Sequence, residues 1–132
     1  MTTNSSSKGI PVKPSYDDDN TFARILHGEL PCQKIYEDEF ALAFYDINPQ
    51  APVHILIIPK GRYISFIDFS STASSDEIAG FIRAIGSVAR KLGVEETGYR
   101  LLANNGLDSH QEVPHFHIHL FAGKPLGPML TR

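Results

Sequence analysis

The clearest pattern of polar and apolar positions in this chain lies near its C-terminus, where residues 115–121 read HFHIHLF. Histidines alternate there with apolar residues. Because successive side chains of a β-strand point to opposite faces of a sheet, this period of two predicts a strand. Its three imidazoles would share one face, while the apolar row on the other face would pack on a core and fix where the histidines point.

Four other stretches have the alternating or continuously apolar composition of strands. They lie at residues 34–36, 40–46, 54–58 and 99–104. The acidic turn between the first two stretches predicts a hairpin. The third stretch is strongly apolar and ends at Pro59, so we expect it to lie centrally in a sheet.

A helical period of 3.6 residues appears in two places. The longer helix is predicted from about residue 75 to 92, with the capping-box residues Ser74 and Glu77 at its start and Gly93 at its end. Its apolar stripe comprises Ile78, Phe81, Ile82, Ile85, Ala89 and Leu92. A short helix near the N-terminus is expected to end at Gly28. Five strands, one long helix and one short helix predict an α+β fold, with an antiparallel sheet whose one face the long helix covers.

Length and composition predict one soluble domain. We expect a flexible leader at residues 1–17, which is polar and contains two prolines, and a single domain at 18–132. No apolar run approaches the roughly 20 residues that span a bilayer, and no secretory signal is visible, so the cytoplasm is the expected location. The net charge of −3 includes no basic block, which argues against a long nucleic acid as a partner.

The histidine face has three open interpretations. Side chains two positions apart on a strand are separated by about 6.6 Å at the backbone, so adjacent histidines can converge on one point. They can bind a zinc ion with His54 or Asp46 as the third ligand. Alternatively, the central imidazole is a nucleophile or general base, and its neighbours hydrogen-bond an anionic substrate. The third interpretation is a row of surface histidines on a solvated face.

The loop before the histidine row favours an anionic ligand. Residues 104–106 and 109–111 supply neutral donors that suit phosphate oxygens, whereas a metal site would prefer further Cys, His or carboxylate ligands. Asp46 follows a predicted strand. Its carboxylate can accept two hydrogen bonds from a ribose diol, or it can cap the proline-rich loop at 47–52.

Beyond these features, the chain resembles the histidine triad family and, within it, the Hint branch of nucleoside phosphoramidases. The row at 115–121 carries the resemblance together with TFARILHGELP at 21–31 and FYDINPQAPVH at 44–54. The similarity extends over about residues 17–127. It implies a homodimer in which two sheets join into one continuous ten-stranded sheet. It also implies a purine nucleoside monophosphate or phosphoramidate as the ligand of each subunit, and neither a metal nor another cofactor in catalysis.

The resemblance further implies roles for single residues. His117 corresponds to the nucleophile that attacks the α-phosphorus, and His119 to the residue that donates to the phosphate and protonates the leaving group. His115 and His54 correspond to supporting members of the hydrogen-bond network. The nucleotide-binding positions are Asp46 at the ribose, Phe22, Ile25 and Ile47 around the base, and Asn104 and Gln111 on the phosphate-facing loop, with His110 either at the phosphate or in solvent.

Two of the places where the chain departs from the family pattern concern metal binding and the leaving group. Residues 21–24 read TFAR where some relatives have a Cys-x-x-Cys that helps to bind zinc, so we expect no structural zinc. Glu112 stands where some relatives have a serine near the leaving group, which leaves the leaving-group preference open. Three other functions stay in view: a dinucleoside polyphosphate hydrolase of the Fhit branch, a nucleotide-binding interaction module with little turnover, and a zinc hydrolase built on the His-x-His pair.

Overall fold

One antiparallel sheet organises residues 15–130, which the computed structural model describes. Its strands are β1 (Lys34–Glu37), β2 (Ala41–Tyr45), β3 (Val53–Pro59), β4 (Arg100–Leu102) and β5 (Ile118–Ala122). Every neighbouring pair is antiparallel, and the order across the sheet is β1-β2-β3-β5-β4. The predicted α+β class with a five-stranded antiparallel sheet is confirmed, and the apolar strand β3 lies at its centre.

In this described part of the chain, three helices flank the sheet, namely α1 (Thr21–Leu26), α2 (Phe66–Thr72) and α3 (Ser75–Leu92). The short and long helices predicted from the sequence are α1 and α3, whereas α2 was not predicted. Its sequence, FIDFSST, is too short to show a helical period and is rich in weak helix formers. The Ser65 side chain starts α2 by accepting from the Asp68 backbone N–H, and Phe69 anchors the helix in the core. Within residues 15–130, no helix is long and apolar enough to cross a membrane.

Alternating side chains of the sheet fill two separate cores. One face packs against α2 and α3, and its core includes Ala43, Ile55, Ile57, Phe69, Phe81, Val88 and Leu120. On the other face, Phe22 of α1 packs with Leu42, Phe44, Leu56 and Ile58. Burying an apolar side chain of this size contributes about 1.5–3 kcal/mol. Because α1 has only six residues, it covers only part of the second face and leaves room beside it for a cavity.

The long helix α3 follows its prediction except at one position. The capping box of Ser74 and Glu77 is present, and Gly93 ends the helix in the left-handed conformation. Ile82, which the periodicity assigns to the apolar stripe, is 60% exposed. It lies at the margin of the stripe, where the helix surface turns away from the sheet.

Two glycines of α3 provide a matched test of this packing. A Cβ at Gly80 would overlap the Phe40 ring, whereas a Cβ at Gly86 meets nothing within 4 Å. Replacing a helical glycine by alanine stabilises a helix by about 1 kcal/mol, so Gly86→Ala should raise the free energy of unfolding. Gly80→Ala should lower it by roughly 1 kcal/mol, because the overpacking exceeds the helical gain. Urea denaturation measures both, and equal effects would contradict the packing.

Candidate active site

A cavity of about 650 Å³ opens on the sheet face that carries α1. Its volume lies in the range of small-molecule sites. Eight of the eleven residues that the sequence analysis assigns to the site line this cavity: Phe22, Ile25, Asp46, Ile47, Asn104, His110, His117 and His119. The fold therefore brings together α1, the end of β2, the loop before β5 and β5 itself.

Three of the predicted site residues do not line the cavity. His54 and His115 lie behind the cavity wall, where they contact the histidines that form it. The Gln111 side chain links its loop to the segment before α2, since its oxygen accepts from the Gly106 backbone N–H and its amide donates to the Ile64 carbonyl. Gln111 thus shapes the loop that was predicted to face phosphate and does not itself enter the cavity.

The cavity also has apolar lining residues that the sequence analysis does not identify. Phe44 of β2 and Leu56 of β3 contribute to it, together with Leu30, Pro31, Cys32 and Val113. Leu56 pairs with His119 across β3 and β5, so the two side chains share one face of the sheet. Leu56 is identified as a lining residue by the register between β3 and β5. A single sequence does not reveal how two distant strands pair.

The histidine row is only partly a strand. β5 begins at Ile118, so the predicted strand at 115–121 begins three residues too early. The Phe116 backbone N–H donates to the Tyr63 carbonyl at 2.7 Å instead of to a neighbouring strand. The alternation of faces holds nevertheless, because Phe116 lies in the core beneath α2 and α3 while His117 and His119 line the cavity.

The proton position on His117 follows from a single contact. Its Nδ1 lies 2.8 Å from the His115 carbonyl oxygen. A carbonyl oxygen only accepts, so Nδ1 carries the proton and donates it. Burial lowers the pKa of His117, which keeps the ring neutral near pH 7. Nε2 therefore holds a lone pair at the cavity wall, and it has no hydrogen-bond partner among residues 15–130.

The proton position on His119 follows from two contacts in series. The Gln50 backbone N–H donates to His54 Nδ1 at 3.1 Å, so neutral His54 carries its proton on Nε2. This Nε2 lies 2.9 Å from His119 Nδ1 and donates to it. His119 therefore carries its own proton on Nε2 and lines the cavity with an N–H donor. Burial lowers the pKa of His119 to about 4, and it also lowers the pKa of His54.

His115 lies behind His117 and is fully buried. Its Nε2 donates to the Pro59 carbonyl at 2.9 Å, and its Nδ1 lies 2.6 Å from the Tyr16 hydroxyl. Burial lowers the pKa of His115 to about 4. Tyr16 belongs to the segment that the sequence analysis assigns to a flexible leader. Residues 1–14 of that leader lie outside the described residues, so the boundary at residue 17 stays a prediction.

Asp46, directly after β2, has both of its oxygens in defined surroundings. Oδ1 accepts from the Asn48 backbone N–H at 2.8 Å, which is the loop-capping role considered from the sequence. Oδ2 lies 3.4 Å from His54 Nε2. A carboxylate has about four acceptor positions, so capping the loop leaves acceptor capacity at the cavity wall for a ribose diol.

Asp46, His54 and His119 also place three potential metal ligands within 4.8 Å of one another. The hydrogen bond from Gln50 to His54 opposes metal binding there. A zinc-bound Nε2 on neutral His54 would need its proton on Nδ1, where the Gln50 N–H already points. The donors and acceptors of this cluster therefore fit a proton network better than a zinc site.

The mouth of the cavity carries one exposed pair. His110 has a φ of 62°, and its Nε2 lies 3.1 Å from a Glu112 carboxylate oxygen. The two side chains are 86% and 74% exposed, respectively, although both border the cavity. His110 therefore faces mainly solvent, and the pair would meet the outer part of a bound ligand.

Known proteins are similar to this chain in sequence and in fold. A profile of the HIT domain family matches residues 27–126. The chain belongs to the histidine triad (HIT) family. A relative, an uncharacterized HIT-like protein of Azospirillum brasilense, is 62% identical over 118 residues, which make up 89% of this chain and 97% of that protein. The profile match begins at His27, so α1 and Tyr16 contribute to the HIT site from outside it.

Two further similarities concern the branch of the HIT family. Purine nucleoside phosphoramidase of Escherichia coli K12 is 40% identical over 114 residues, covering 86% of this chain and 95% of that protein. A solved structure, that of a histidine triad protein from Clostridium difficile, has a TM-score of 0.78 and 42% identity, and the match covers 85% of this chain and 96% of that one. The resemblance to the Hint branch is confirmed.

The buried histidines predict how the stability of this HIT protein depends on pH. His115 has a folded-state pKa of about 4 and an ordinary value of 6.5, so between these values the unfolded chain binds a proton that the folded chain does not. The contribution of His115 to the free energy of unfolding is therefore fully present above pH 6.5. It decreases by about 3 kcal/mol as the pH falls towards 4. Urea denaturation across this range measures the slope.

His115→Gln is the matched variant for this measurement. Glutamine offers one donor and one acceptor but does not titrate. The variant should lose part of the pH dependence between 6.5 and 4, whatever its stability at pH 7.5. An unchanged slope would show that folding does not lower the pKa of His115.

Proposed function

We propose that this HIT protein is a hydrolase that cleaves the P–N bond of purine nucleoside phosphoramidates and releases the nucleoside monophosphate. The observation that carries the proposal is the tautomer of His117, whose Nδ1 donates to the His115 carbonyl at 2.8 Å. Its Nε2 lone pair is thereby available to an electrophile in the cavity. The similarity to a purine nucleoside phosphoramidase supports the same chemistry.

The reaction proceeds by two displacements at phosphorus. His117 Nε2 attacks the α-phosphorus, a bond forms between them, and the bond from phosphorus to the amine nitrogen breaks. Positive charge develops on the imidazole and strengthens its hydrogen bond to the His115 carbonyl. Water then attacks the nucleotidyl-histidine, and the bond to Nε2 breaks. The departing nitrogen takes a proton from solvent in the first step, and the attacking water returns a proton to solvent in the second, so that over both steps one hydroxyl ends on phosphorus and one proton ends on the amine.

His119 acts as the donor beside the nucleophile. The ring centroids of His117 and His119 are 5.1 Å apart, so both rings reach one phosphoryl group. The Nε2–H of His119 donates to a phosphate oxygen or to the departing nitrogen, and a donor that is already oriented lowers the barrier without reorganisation. Asn104 and Ser109 add polar groups of the cavity wall for the remaining oxygens.

The rest of the cavity holds the nucleoside. The purine lies among Phe22, Ile25 and Ile47, and the ribose hydroxyls donate to Asp46. Ile47 is 91% exposed although it borders the cavity. A bound base would cover this apolar side chain, which gives it a reason to be at the surface.

We expect the active form to be a homodimer with a continuous ten-stranded sheet in the cytoplasm. β4 is an edge strand of three residues. Tyr99 and Leu101 at this edge are exposed, as is Ile82 on α3. An unpaired strand edge beside exposed apolar side chains is a template for pairing with a second chain, and two paired β4 strands would join the sheets.

The first test is hydrolysis of an adenosine phosphoramidate by chelator-treated protein. His117→Ala should lower kcat/KM by about 10⁴-fold or more, because it removes the nucleophile. Calorimetric binding of AMP and a circular dichroism spectrum serve as controls that the variant keeps its cavity and fold. Release of AMP is followed by chromatography.

The same experiment discriminates the other functions. Activity that returns only with added zinc would favour a metal hydrolase and contradict the nucleophile. Faster cleavage of a diadenosine polyphosphate would favour the Fhit-like hydrolase. Binding of AMP without turnover of either substrate would favour an interaction module.

The ribose contact has its own test. Asp46→Asn should raise KM for the adenosine phosphoramidate by about tenfold, since it replaces a charged acceptor of a diol. The 2′-deoxy substrate, which lacks one of the two hydroxyls, should lose much less from the same substitution. Equal losses for both substrates would contradict a contact between Asp46 and the ribose.

A further inference from the structure

The first histidine of the triad contacts a tyrosine that precedes the HIT domain match. The Tyr16 hydroxyl lies 2.6 Å from His115 Nδ1 and joins residues that are 99 positions apart. The two rings also meet edge-on, with centroids 5.6 Å apart. Tyr16 does not line the cavity, so it does not touch a ligand there.

The direction of this hydrogen bond is fixed by the other side of the ring. His115 Nε2 lies 2.9 Å from the Pro59 carbonyl, which only accepts, so Nε2 carries the proton. The neutral ring then has a bare Nδ1, and Tyr16 is the donor. Burial raises the pKa of Tyr16, which keeps its hydroxyl protonated.

The segment around Tyr16 is held by contacts of its own. Arg62 makes two hydrogen bonds of 2.9 Å to the Asp18 carboxylate, and its guanidinium lies 5.0 Å from the centre of the Tyr16 ring. Asn20, which is buried, caps α1 through the Ala23 backbone N–H. Arg62 therefore contacts the segment at both Tyr16 and Asp18, and α1 begins directly after it with its own cap.

Two hydrogen bonds fix the His115 ring, and the backbone of His115 fixes His117. The Pro59 carbonyl accepts from one ring nitrogen, and Tyr16 donates to the other. The His115 carbonyl then accepts from His117 Nδ1 at 2.8 Å. A change in the position of His115 therefore moves the group that sets the tautomer and direction of His117.

We propose that Tyr16 is a positioning residue for the nucleophile, acting through His115: its hydroxyl satisfies the buried Nδ1 and holds the residue whose carbonyl orients His117. The inference rests on the proposed function, because it assigns His117 the nucleophilic role. If Tyr16 has this role, full activity depends on a residue before α1, in a part of the chain that lies outside the matched domain.

The test compares Tyr16→Phe with the matched variant Tyr36→Phe. Tyr36 also donates its hydroxyl, to Asp38 at 2.7 Å, but it lies on β1 and does not line the cavity. Tyr16→Phe keeps the ring under Arg62 and removes only the donor. It should lower kcat by about tenfold, as expected for one lost hydrogen bond in a buried network, and leave KM within about twofold. Tyr36→Phe should change neither constant, although it removes a hydrogen bond as well.

Nitrogen NMR of the histidines supplies a readout that does not depend on turnover. In the wild type, His115 should show a protonated Nε2 and a hydrogen-bonded Nδ1. In Tyr16→Phe, the Nδ1 resonance should move towards the value of an unbonded ring nitrogen, and the His117 resonances should shift with it. Tyr36→Phe should leave both sets of resonances in place.

The outcomes separate this inference from the proposed function. If the wild type releases AMP and Tyr16→Phe keeps its kcat, the positioning role is overturned while the function stands. If the kcat of both tyrosine variants falls equally, the loss reflects general destabilisation, and the positioning role is again overturned. If the wild type cleaves no phosphoramidate, the proposed function fails. Whatever the activity, unchanged His117 resonances in Tyr16→Phe would show that Tyr16 does not act on His117 through His115, and would overturn the positioning role.

Discussion

The hydrogen bond from His117 Nδ1 to the His115 carbonyl is the interaction on which the chemistry of the site depends. It requires that carbonyl to face a side chain two residues ahead and not a neighbouring strand. The backbone before Ile118 is therefore outside the sheet, and the Phe116 N–H turns to Tyr63. The same hydrogen bond therefore accounts for both the irregular start of β5 and the orientation of the His117 ring.

Burial sets the charge of the histidine network. For His54, His115, His117 and His119, removal from water is the largest influence on the pKa and lowers it. Asp46 raises the pKa of three of these residues, but less than burial lowers it. A neutral imidazole has one donor and one acceptor, so a hydrogen bond at one ring nitrogen determines the role of the other. The backbone groups of Gln50 and Pro59 therefore determine where the protons lie on the rings between them and the cavity.

Local periodicity was sufficient to predict most of the fold. The strands, α1 and α3 follow from their apolar spacing, and the alternation at 115–121 separates chemistry from core even where it is not a strand. Helix α2 was not predicted because seven residues hold too little periodicity. Ile82 was assigned to the core because periodicity defines a stripe but not how far the sheet extends beneath it.

The site residues also fall into two groups: those that local sequence motifs predict and those that depend on contacts between distant parts of the chain. The lining histidines and Asp46 were named from motif and resemblance, which record residue types at fixed spacing. Leu56 enters the cavity through the register between β3 and β5, and Tyr16 reaches His115 across 99 positions. Contacts of this kind leave no pattern in a single sequence, because a contact between distant residues does not require any particular residues next to either partner.

The proton order also determines which ligands the cavity accepts. Once Gln50, His54 and the His115 carbonyl have satisfied the inner nitrogens, His117 presents one lone pair and His119 presents one N–H. A metal ion needs lone pairs from both rings. To bind one, His119 would have to move its proton to Nδ1, which would reverse its hydrogen bond with His54 and oppose the contact of His54 with the Gln50 N–H. An electrophilic phosphorus that carries anionic oxygens needs one lone pair and one donor side by side. The arrangement of protons, more than the number of histidines, is what favours phosphoryl chemistry over metal binding.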